Sequence, residues 1–447
     1  MIEINPELAT LMMFGALLVG VLLGYPLAFV VGGIGIVSGI LLFGVPISLE
    51  LIYQRAYSLL CNYVLLAVPC FIFMGTMMGY SGITEKMFTS LYVWLGGLRG
   101  GLAIVTMLVG TLLAACVGVI GASVTALALV ALPPMVRRGY NKALASGAVC
   151  AGGTLGILIP PSVMLVVYGP MANLSVGKLF FGAFMPGFML SALYIFYIAL
   201  RSYLKPNLAP AVPVEERQVP FLKKTVDLIV SLVPPSVLVM AVLGTIFLGV
   251  ATPTEASAVG AFATTLLVVA YRKFTFTALK DTALDAMKIS GMILLIGAVS
   301  FAFVGIFVRA GCGDVIIDFI LKAPGGRWGI FAVIQLIIFL LGFLIDWLGI
   351  LFILVPLITP LGVELGFDPI WFAMMVCVNL QTSFMTPPFA YAIFYLKGAA
   401  PPELGITVGD IIRGVIPFVI IILVGMALCI VFPEIILWLP GQMVKGF

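Results

Sequence analysis

Two uncharged stretches of the chain each carry a pair of prolines among hydroxyl-bearing residues. The first is AGGTLGILIPPSVMLVVYG, with Pro160 and Pro161, and the second is NLQTSFMTPPFAYAIFYLKG, with Pro387 and Pro388. A proline inside a helix removes one N–H, so the carbonyl four residues earlier loses its helical partner. The carbonyls concerned are those of Gly156, Ile157, Ser383 and Phe384.

Freed carbonyls beside hydroxyls make neutral oxygen cages, which suit a hard monovalent cation such as Na⁺. Helices that begin after each break direct their positive N-terminal ends to the same region and favour an anionic substrate group. The alternative is a proline kink healed by neighbouring helices, but the repetition of the motif favours a site. The residues predicted to line it are Thr154, Gly156, Pro160, Pro161, Ser162, Thr382, Ser383, Thr386, Pro387 and Pro388.

Composition indicates what kind of chain must position these residues. Of the 447 residues, 63% are hydrophobic and 9% charged, and long uncharged runs recur throughout, which predicts an all-α polytopic protein embedded in a lipid bilayer. The net charge of +4 implies no nucleic-acid partner. The chain has no histidine and no C-x-x-C pair among its seven cysteines, so a zinc site or a disulfide framework is not expected.

The spacing of the two proline pairs reveals an internal repeat. They lie 227 residues apart, and at the same spacing Pro26 matches Pro253 and Cys150 matches Cys377. Pro133 and Pro360, and Tyr168 and Tyr395, match in the same way. We therefore predict a first repeat over residues 1–204, a linker over 205–224 and a second repeat over 225–447.

Charges predict how the two repeats are oriented. The loop with Arg137, Arg138 and Lys142 is basic, whereas its counterpart carries Glu364 and Asp368. The positive-inside rule places the first loop, and the basic linker, in the cytoplasm. Equivalent loops then lie on opposite sides of the membrane, which is the inverted-topology repeat found in many secondary transporters.

Each repeat contains an apolar run that is too long for one span and short for two. Residues 101–136 form an uncharged run of 36, about 54 Å as one helix against a hydrocarbon core of about 30 Å. Residues 328–363 form a similar run, interrupted by Asp346 alone. We predict two re-entrant helical hairpins with tips at Gly118–Ser123 and Asp346–Gly349, the alternative being one long tilted helix. Broken helices are predicted to follow over 143–172 and 369–397.

Four collinear motifs resemble the signatures of the large membrane subunit of TRAP (tripartite ATP-independent periplasmic) transporters. They are SGAVCAGGTLGILIPPSVMLVVYG, GVATPTEASAVGAF, FLLGFLIDWLGILFILVPL and VNLQTSFMTPPFAYAIFYLKG. The resemblance implies an elevator-type importer of organic acid anions in the bacterial inner membrane, driven by Na⁺. Its partners would be a small four-helix membrane subunit and a soluble periplasmic substrate-binding protein.

The resemblance also assigns residues to the sites. Family members often carry Ser-Gly-Ser at the first tip, whereas GVIGASVTALA here leaves Ser123 and Thr125 as the matching hydroxyls. The expected lining of the ion and substrate sites is Gly118, Gly121, Ser123, Thr125, Gly152, Gly153, Thr154, Asp346, Gly349, Gln381, Thr382, Ser383 and Thr386. The expected Na⁺ ligands come from Gly121, Ser123, Gly156, Asp346, Ser383 and Thr386.

Two charged residues have competing interpretations. Glu255 belongs to the family motif TPTEAS, but it can also be explained as a charge at a helix N-terminus. Asp346 is either an ion-coupling or tip-locking carboxylate or the cap of the following helix. The amphipathic stretches GITEKMFTSLYVWL and GDVIIDFILKAP are predicted to be interfacial arm helices.

Two other functions are alternatives to TRAP-type import. Another elevator-type anion/Na⁺ symporter, working without a binding protein, would share the hairpins, but such carriers show Ser-Asn-Thr at their tips and this chain lacks that tripeptide. An aspartyl intramembrane protease would use the G-x-G-D match at Gly311–Asp314 with Asp346 as the second carboxylate. Against it, Asp314 begins an amphipathic stretch and no Tyr-Asp motif occurs.

Overall fold

The computed structural model describes residues 4–213, 219–388 and 390–443, and within these ranges the chain is helical and without strands. The first half contains α1 (Pro6–Leu22), α2 (Leu27–Phe43), α3 (Val45–Leu60), α4 (Ala67–Tyr80), α5 (Ile83–Leu95), α6 (Gly101–Val117), α7 (Ile120–Arg137), α8 (Lys142–Thr154), α9 (Val163–Ala172) and α10 (Val176–Leu204). The second half contains α11 (Phe221–Phe247), α12 (Pro253–Ala270), α13 (Phe276–Arg309), α14 (Cys312–Leu321), α15 (Gly326–Leu341), α16 (Trp347–Gly349), α17 (Val355–Glu364), α18 (Pro369–Ser383), α19 (Tyr391–Ala399), α20 (Val408–Val431) and α21 (Glu434–Gly441).

Helix length and surface both suit a bilayer. Among the described residues, eight helical spans are long and apolar enough to cross a membrane. The outer faces carry large apolar side chains that a soluble protein would bury, such as Phe29 at 73% and Leu222 at 76% exposure. The prediction of an all-helical polytopic protein is confirmed.

The 227-residue repeat is visible in the order of the helices. The pairs α6 and α15, α8 and α18, and α9 and α19 occupy equivalent positions. The halves differ where α13, at 34 residues, covers the positions of both α3 and α4 without a break. The predicted arm stretches are the short helices α5 and α14, which also match each other.

Each long apolar run is divided into two helices. The first breaks at Gly118, whose positive φ of 65° ends α6, and Val119 precedes α7. The N–H of Leu102 donates to the Tyr140 hydroxyl at 3.2 Å, so the start of α6 and the end of α7 lie at the same side of the molecule. The second run breaks over 342–346. The prediction that each run contains two helices is therefore confirmed, and a single long helix is excluded.

The second tip begins earlier than predicted. The expected tip, Asp346–Gly349, is helical from Trp347 onward, because α16 continues through a π-helical turn at Ile350–Leu354 into α17. A π turn adds a residue to a helical turn and often marks a functional site. The non-helical part of this tip is Gly342–Asp346, five residues against two in the first half.

The broken helices occupy the centre of the molecule. Every residue of α8 from Leu144 and every residue of α18 from Ile370 is buried. The helix breaks lie between α8 and α9 and between α18 and α19, and each contains one proline pair with a cis peptide bond. The predicted ranges 143–172 and 369–397 differ from the observed ends by at most two residues.

Contacts at the two ends of α20 place equivalent loops on opposite sides. At its start, the Lys142 ammonium donates to the Gly405 carbonyl at 2.8 Å, three residues before α20. Near its end, the Trp371 indole donates to the Cys429 carbonyl at 3.0 Å. The helix has 24 residues and is about 36 Å long. The loop before α8 and the loop before α18 are therefore separated by the length of α20, as an inverted repeat requires.

The linker between the halves is shorter than predicted and is held in place. Residues 221–224, assigned to the linker from sequence, already belong to α11. The carbonyls of Leu208 and Ala209 accept from the N–H groups of Asn141 and Gly100, at 2.8 and 3.0 Å. Residues 214–218 lie outside the described part of the chain.

Candidate functional site

A cavity of about 180 Å³ lies between the two hairpin tips. The first half contributes the tip at Gly118–Gly121 together with Ile157 and Val163, and the second half contributes Asp346–Leu348. Two tyrosines of α19 and three apolar residues of α13 complete the lining, namely Tyr391, Tyr395, Ile289, Met292 and Ile293. Both halves therefore build one site.

Four helices begin at this cavity. The first residues of α7 (Ile120), α9 (Val163), α16 (Trp347) and α19 (Tyr391) are all part of the lining. The N–H groups of a first helical turn have no partner within the helix, and the helix dipole adds partial positive charge there. The cavity can therefore attract an anion without a cationic side chain.

Among the described residues that line the cavity, Asp346 is the one that is charged. It stands at the N-cap position of α16, with φ −60° and ψ 150°, but its side chain makes no capping hydrogen bond. By contrast, Asp368 caps α18 by accepting from the N–H groups of Ile370 and Trp371, at 2.8 and 3.0 Å. Asp346 makes no such cap, although its carboxylate interacts with the Trp347 N–H at the start of α16, so the helix cap and the ion-coupling role both stay predictions.

In the first half, Ser123 is brought beside the helix break. It is fully buried, its hydroxyl donates to the Val119 carbonyl at 3.2 Å, and a Cβ added at Gly156 would lie 3.0 Å from its Oγ. Thr125 is half-buried two residues further along α7 and does not line the cavity. Of the two candidate hydroxyls at this tip, Ser123 is the one close to the break.

In the second half, Ser383 occupies the position equivalent to Gly156. Its hydroxyl is buried, has no hydrogen-bond partner, and lies against the Cα of Gly342 at the end of α15. The Gln381 amide nitrogen is also buried without a partner. Buried polar groups nearly always have partners, and a water or a polar ligand atom can complete these two, as it can the five other buried side-chain atoms of the described residues that lack one.

The carbonyls freed by the prolines are only partly available. The Ile157 carbonyl accepts from the Ser162 hydroxyl, and the Phe384 carbonyl accepts from the Ala392 N–H at 3.0 Å. The expectation that all four carbonyls would be free is therefore wrong for these two. In each break, a donor beyond the proline pair replaces the lost helical N–H.

Several residues assigned to the site have contacts that explain their presence by packing. A Cβ added at Gly153 would lie 3.0 Å from the backbone of Val124 on α7, and one at Gly110 would lie 2.9 Å from Gly152. These glycines allow α8 to approach α7 and α6 closely. The hydroxyls of Thr154, Thr382 and Thr386 donate to carbonyls of their own chain segments. Gly349 packs near Leu27 of α2.

The proline pairs differ in their surroundings. Pro160 and Pro161 are buried, and Pro160 lines a separate apolar cavity with α10 and α11. Pro387 and Pro388 are exposed. None of the four lines the cavity between the tips.

Glu255 forms a capping box with Thr252. The Glu255 carboxylate accepts from the Thr252 N–H at 2.8 Å, and the Thr252 hydroxyl accepts from the Glu255 N–H at 3.3 Å. This arrangement satisfies two N–H groups at the start of α12. The structural interpretation of Glu255 is confirmed.

Sequence reasoning missed Tyr391, Tyr395 and the α13 residues of the cavity. Tyr395 is the repeat partner of Tyr168, but the match does not show that Tyr168 is buried and Tyr395 exposed. The signal that was available is local, because Tyr391 and Tyr395 are four residues apart and so share one face of a helix that follows a proline break.

An all-helical, membrane-embedded chain with an anion-attracting cavity between two repeats is a membrane transporter in its architecture. The solved YdaH transporter of Alcanivorax borkumensis supports the fold, with a TM-score of 0.62 over 97% of this chain and 99% of that chain at 13% identity.

The family follows from sequence comparison. Residues 14–435 match the DctM component of the tripartite ATP-independent periplasmic transporters, and the chain belongs to that family. It is 31% identical to the C4-dicarboxylate TRAP transporter large permease protein DctM of Pseudomonas aeruginosa, over 90% of this chain and 92% of that protein. It is 28% identical to the sialic acid TRAP transporter large permease protein SiaM of Vibrio cholerae, over 90% and 96%. The protein is therefore a multi-pass inner-membrane subunit of a TRAP transporter.

Family membership also removes the protease interpretation. Asp314 is exposed at the start of α14, where Gly311 with φ 75° precedes the helix, and it does not line the cavity that contains Asp346. The G-x-G-D match is the N-terminal turn of a short helix.

Proposed function

We propose that this subunit carries a small organic acid anion across the inner membrane together with Na⁺. The observation that carries the proposal is the charge of the cavity. Its described lining contains one carboxylate, Asp346, and no lysine or arginine, although four helix N-termini meet there.

An anion cannot enter such a cavity alone at low cost. A carboxylate at membrane depth costs roughly 2.5 to 3.5 kcal/mol on insertion scales, and a second negative charge beside it adds repulsion. A cation bound at Asp346 removes that repulsion and leaves the helix N-termini to hold the anion. This arrangement supports coupling of anion transport to a cation.

The proposed Na⁺ ligands are oxygen atoms around the two tips. Ser383 supports this assignment, because its buried hydroxyl lacks a partner. Ser123 and Gly156 meet at the equivalent place in the first half. The full proposed set is Gly121, Ser123, Gly156, Asp346, Ser383 and Thr386, of which Asp346 supplies the negative charge.

We further propose that the two hairpins are re-entrant and that they move with the buried broken helices as an elevator. The contacts support this, because α7 packs on α19 and α17 packs on α9, so each hairpin is joined to the broken helix of the other half. The Tyr168 hydroxyl lies 3.2 Å from that of Thr359 in one of these contacts. A unit interlocked in this way moves as one body.

The proposed partners are a small membrane subunit of four helices and a soluble periplasmic protein that delivers the anion. The tripartite family name supports three components. The names of the relatives, C4-dicarboxylate and sialic acid transporters, support an organic acid as the substrate.

Uptake into proteoliposomes tests the proposal. The complex with its small subunit would be reconstituted, and uptake of radiolabelled succinate, 2-oxoglutarate and N-acetylneuraminate would be measured with and without the binding protein. We expect uptake of one acid that requires an inward Na⁺ gradient and the binding protein. Uptake that persists in K⁺ alone would contradict Na⁺ coupling, and uptake without the binding protein would favour a carrier that works without one.

A further inference from the structure

We infer that Tyr391 and Tyr395 are the side chains that bind the anionic group of the substrate, as neutral hydroxyl donors. This inference rests on the proposed function and names the residues that determine recognition in the same cavity.

The geometry presents both phenols to the cavity. Tyr391 and Tyr395 are one helical turn apart on α19, and their rings lie 6.4 Å apart with an angle of 29°. Both line the cavity, and both interact electrostatically with Asp346 on the facing tip. The ring of Tyr395 also covers the first tip, because a Cβ at Gly121 would lie 3.0 Å from it.

Neither phenol has a hydrogen-bond partner among the residues that the structure describes. Other tyrosines of the chain do: the Tyr271 hydroxyl donates to the Val230 carbonyl at 2.6 Å, and the Tyr140 hydroxyl accepts from the Leu102 N–H. Tyr391 is partly buried and Tyr395 is 44% exposed, so both hydroxyls are free to donate to a ligand that enters the cavity. Two such donors at one cavity suit a ligand with acceptor oxygens.

The internal repeat shows that the fold does not require these hydroxyls. The position equivalent to Tyr391 is Met164, which has no donor. The position equivalent to Tyr395 is Tyr168, which is fully buried and hydrogen-bonds to Thr359. The same position therefore serves packing in the first half and faces the cavity in the second.

The chemistry suits a transported anion. A phenol donates to a carboxylate oxygen and adds no full positive charge, so the anion can be released after transport. An arginine in its place would also pair with Asp346 and would compete with the coupling cation. The two phenols and the helix N-termini then bind the anion while Asp346 binds the cation, so that anion and cation are held next to each other.

Substitution by phenylalanine tests the assignment, because it keeps the ring and removes the hydroxyl. In the reconstituted complex with its binding protein, the probe is whichever of succinate, 2-oxoglutarate and N-acetylneuraminate the wild type takes up. We expect Tyr391→Phe and Tyr395→Phe each to raise KM for that acid about tenfold, the effect of one lost hydrogen bond to a charged group. Vmax and the half-saturating Na⁺ concentration at saturating acid should change less than about twofold.

Tyr168→Phe is the matched control, since it removes the equivalent hydroxyl from a packing contact, and it should leave KM unchanged. Thermal unfolding of each purified complex checks folding independently of transport. If both cavity variants keep the wild-type KM, or if Tyr168→Phe raises KM equally, the assignment is wrong while the proposed function stands. If the wild type takes up none of the acids in a Na⁺ gradient, the proposed function fails and the assignment falls with it.

Discussion

The two hairpin tips occupy equivalent positions in the repeat but are built differently. The first tip has two residues outside the helices, Gly118 and Val119, and no charge. The second has five, Gly342–Asp346, and a π-helical turn follows it. Asp346 stands where the first half has Val119. The repeat therefore supplies a shared scaffold, and the carboxylate of the cavity is present at one tip only.

The hydroxyls near the breaks show the same division. In the first half the hairpin supplies the hydroxyl, Ser123, and the broken helix supplies Gly156 to make room for it. In the second half the broken helix supplies Ser383, and the hairpin supplies Gly342. Both halves therefore have a serine hydroxyl that packs against a glycine beside the helix break. The serine belongs to the hairpin in the first half and to the broken helix in the second.

Replacing the one charge in the cavity should have the largest effect. Asp346→Asn keeps the shape and removes the negative charge, so we expect Na⁺-dependent uptake to fall about 100-fold or more, the scale of losing one partner of a buried charge pair. Uptake in proteoliposomes measures this, with thermal unfolding as the check on assembly.

Asp368→Asn is the control for that experiment, because an amide oxygen can still cap α18. It should transport like the wild type. An Asp346→Asn complex with an unchanged Na⁺ requirement would mean that the asymmetry of the tips has no part in ion coupling.

Close helix packing in the first half gives the next largest effect. Gly153→Ala places a Cβ about 3.0 Å from the Val124 backbone, which cannot move as a side chain end can. We expect a loss of about 1 to 3 kcal/mol in stability, visible as a lower unfolding temperature.

Gly33→Ala provides the contrast, since nothing lies within 4 Å of its added Cβ. This variant should be as stable as the wild type or slightly more so. The second half has Leu380 at the position equivalent to Gly153. If Gly153→Ala is as stable as the wild type, the first half also tolerates a wider spacing between the broken helix and the hairpin.

The smallest expected effect concerns a helix cap present in one half only. Thr252 and Glu255 form a capping box at α12, whereas the equivalent helix α2 has Pro26 at its N-cap position and no side-chain cap. Thr252→Ala should lower stability by about 1 kcal/mol while uptake per folded complex is kept. A large loss of uptake at unchanged stability would instead give this motif a role in transport.

Much of the fold could be predicted from sequence because it depends on patterns that a chain shows directly. Long apolar runs, proline pairs at one spacing and opposed loop charges predicted the helices, the repeat and the separation of equivalent loops. The limits of the second tip could not be predicted. In the sequence, Asp346 is the residue that interrupts the apolar run, but the helix α15 ends before Gly342, four residues earlier.

The site was harder to predict because it depends on which donors meet across the molecule. The Ser162 hydroxyl donates to the Ile157 carbonyl, and the Ala392 N–H donates to the Phe384 carbonyl. Both bonds depend on the path of the chain after each proline pair. The two tyrosines of α19 join the site only because α19 lies against the opposite hairpin. Contacts of this kind have no periodic signal in the sequence.

The anchored linker would limit the stroke of the proposed elevator. Its bonds to Gly100 and Asn141 tie Leu208 and Ala209 to the starts of α6 and α8, and the Val212 N–H donates to the Gly96 carbonyl at the end of α5 at 2.8 Å. The next helix along the chain, α11, begins at Phe221. Nine residue steps of fully extended chain between Val212 and Phe221 reach at most about 30 Å. If the hairpin and the broken helix move relative to α11 as proposed, this segment limits their stroke, and shortening it should shorten the stroke before it disturbs the fold.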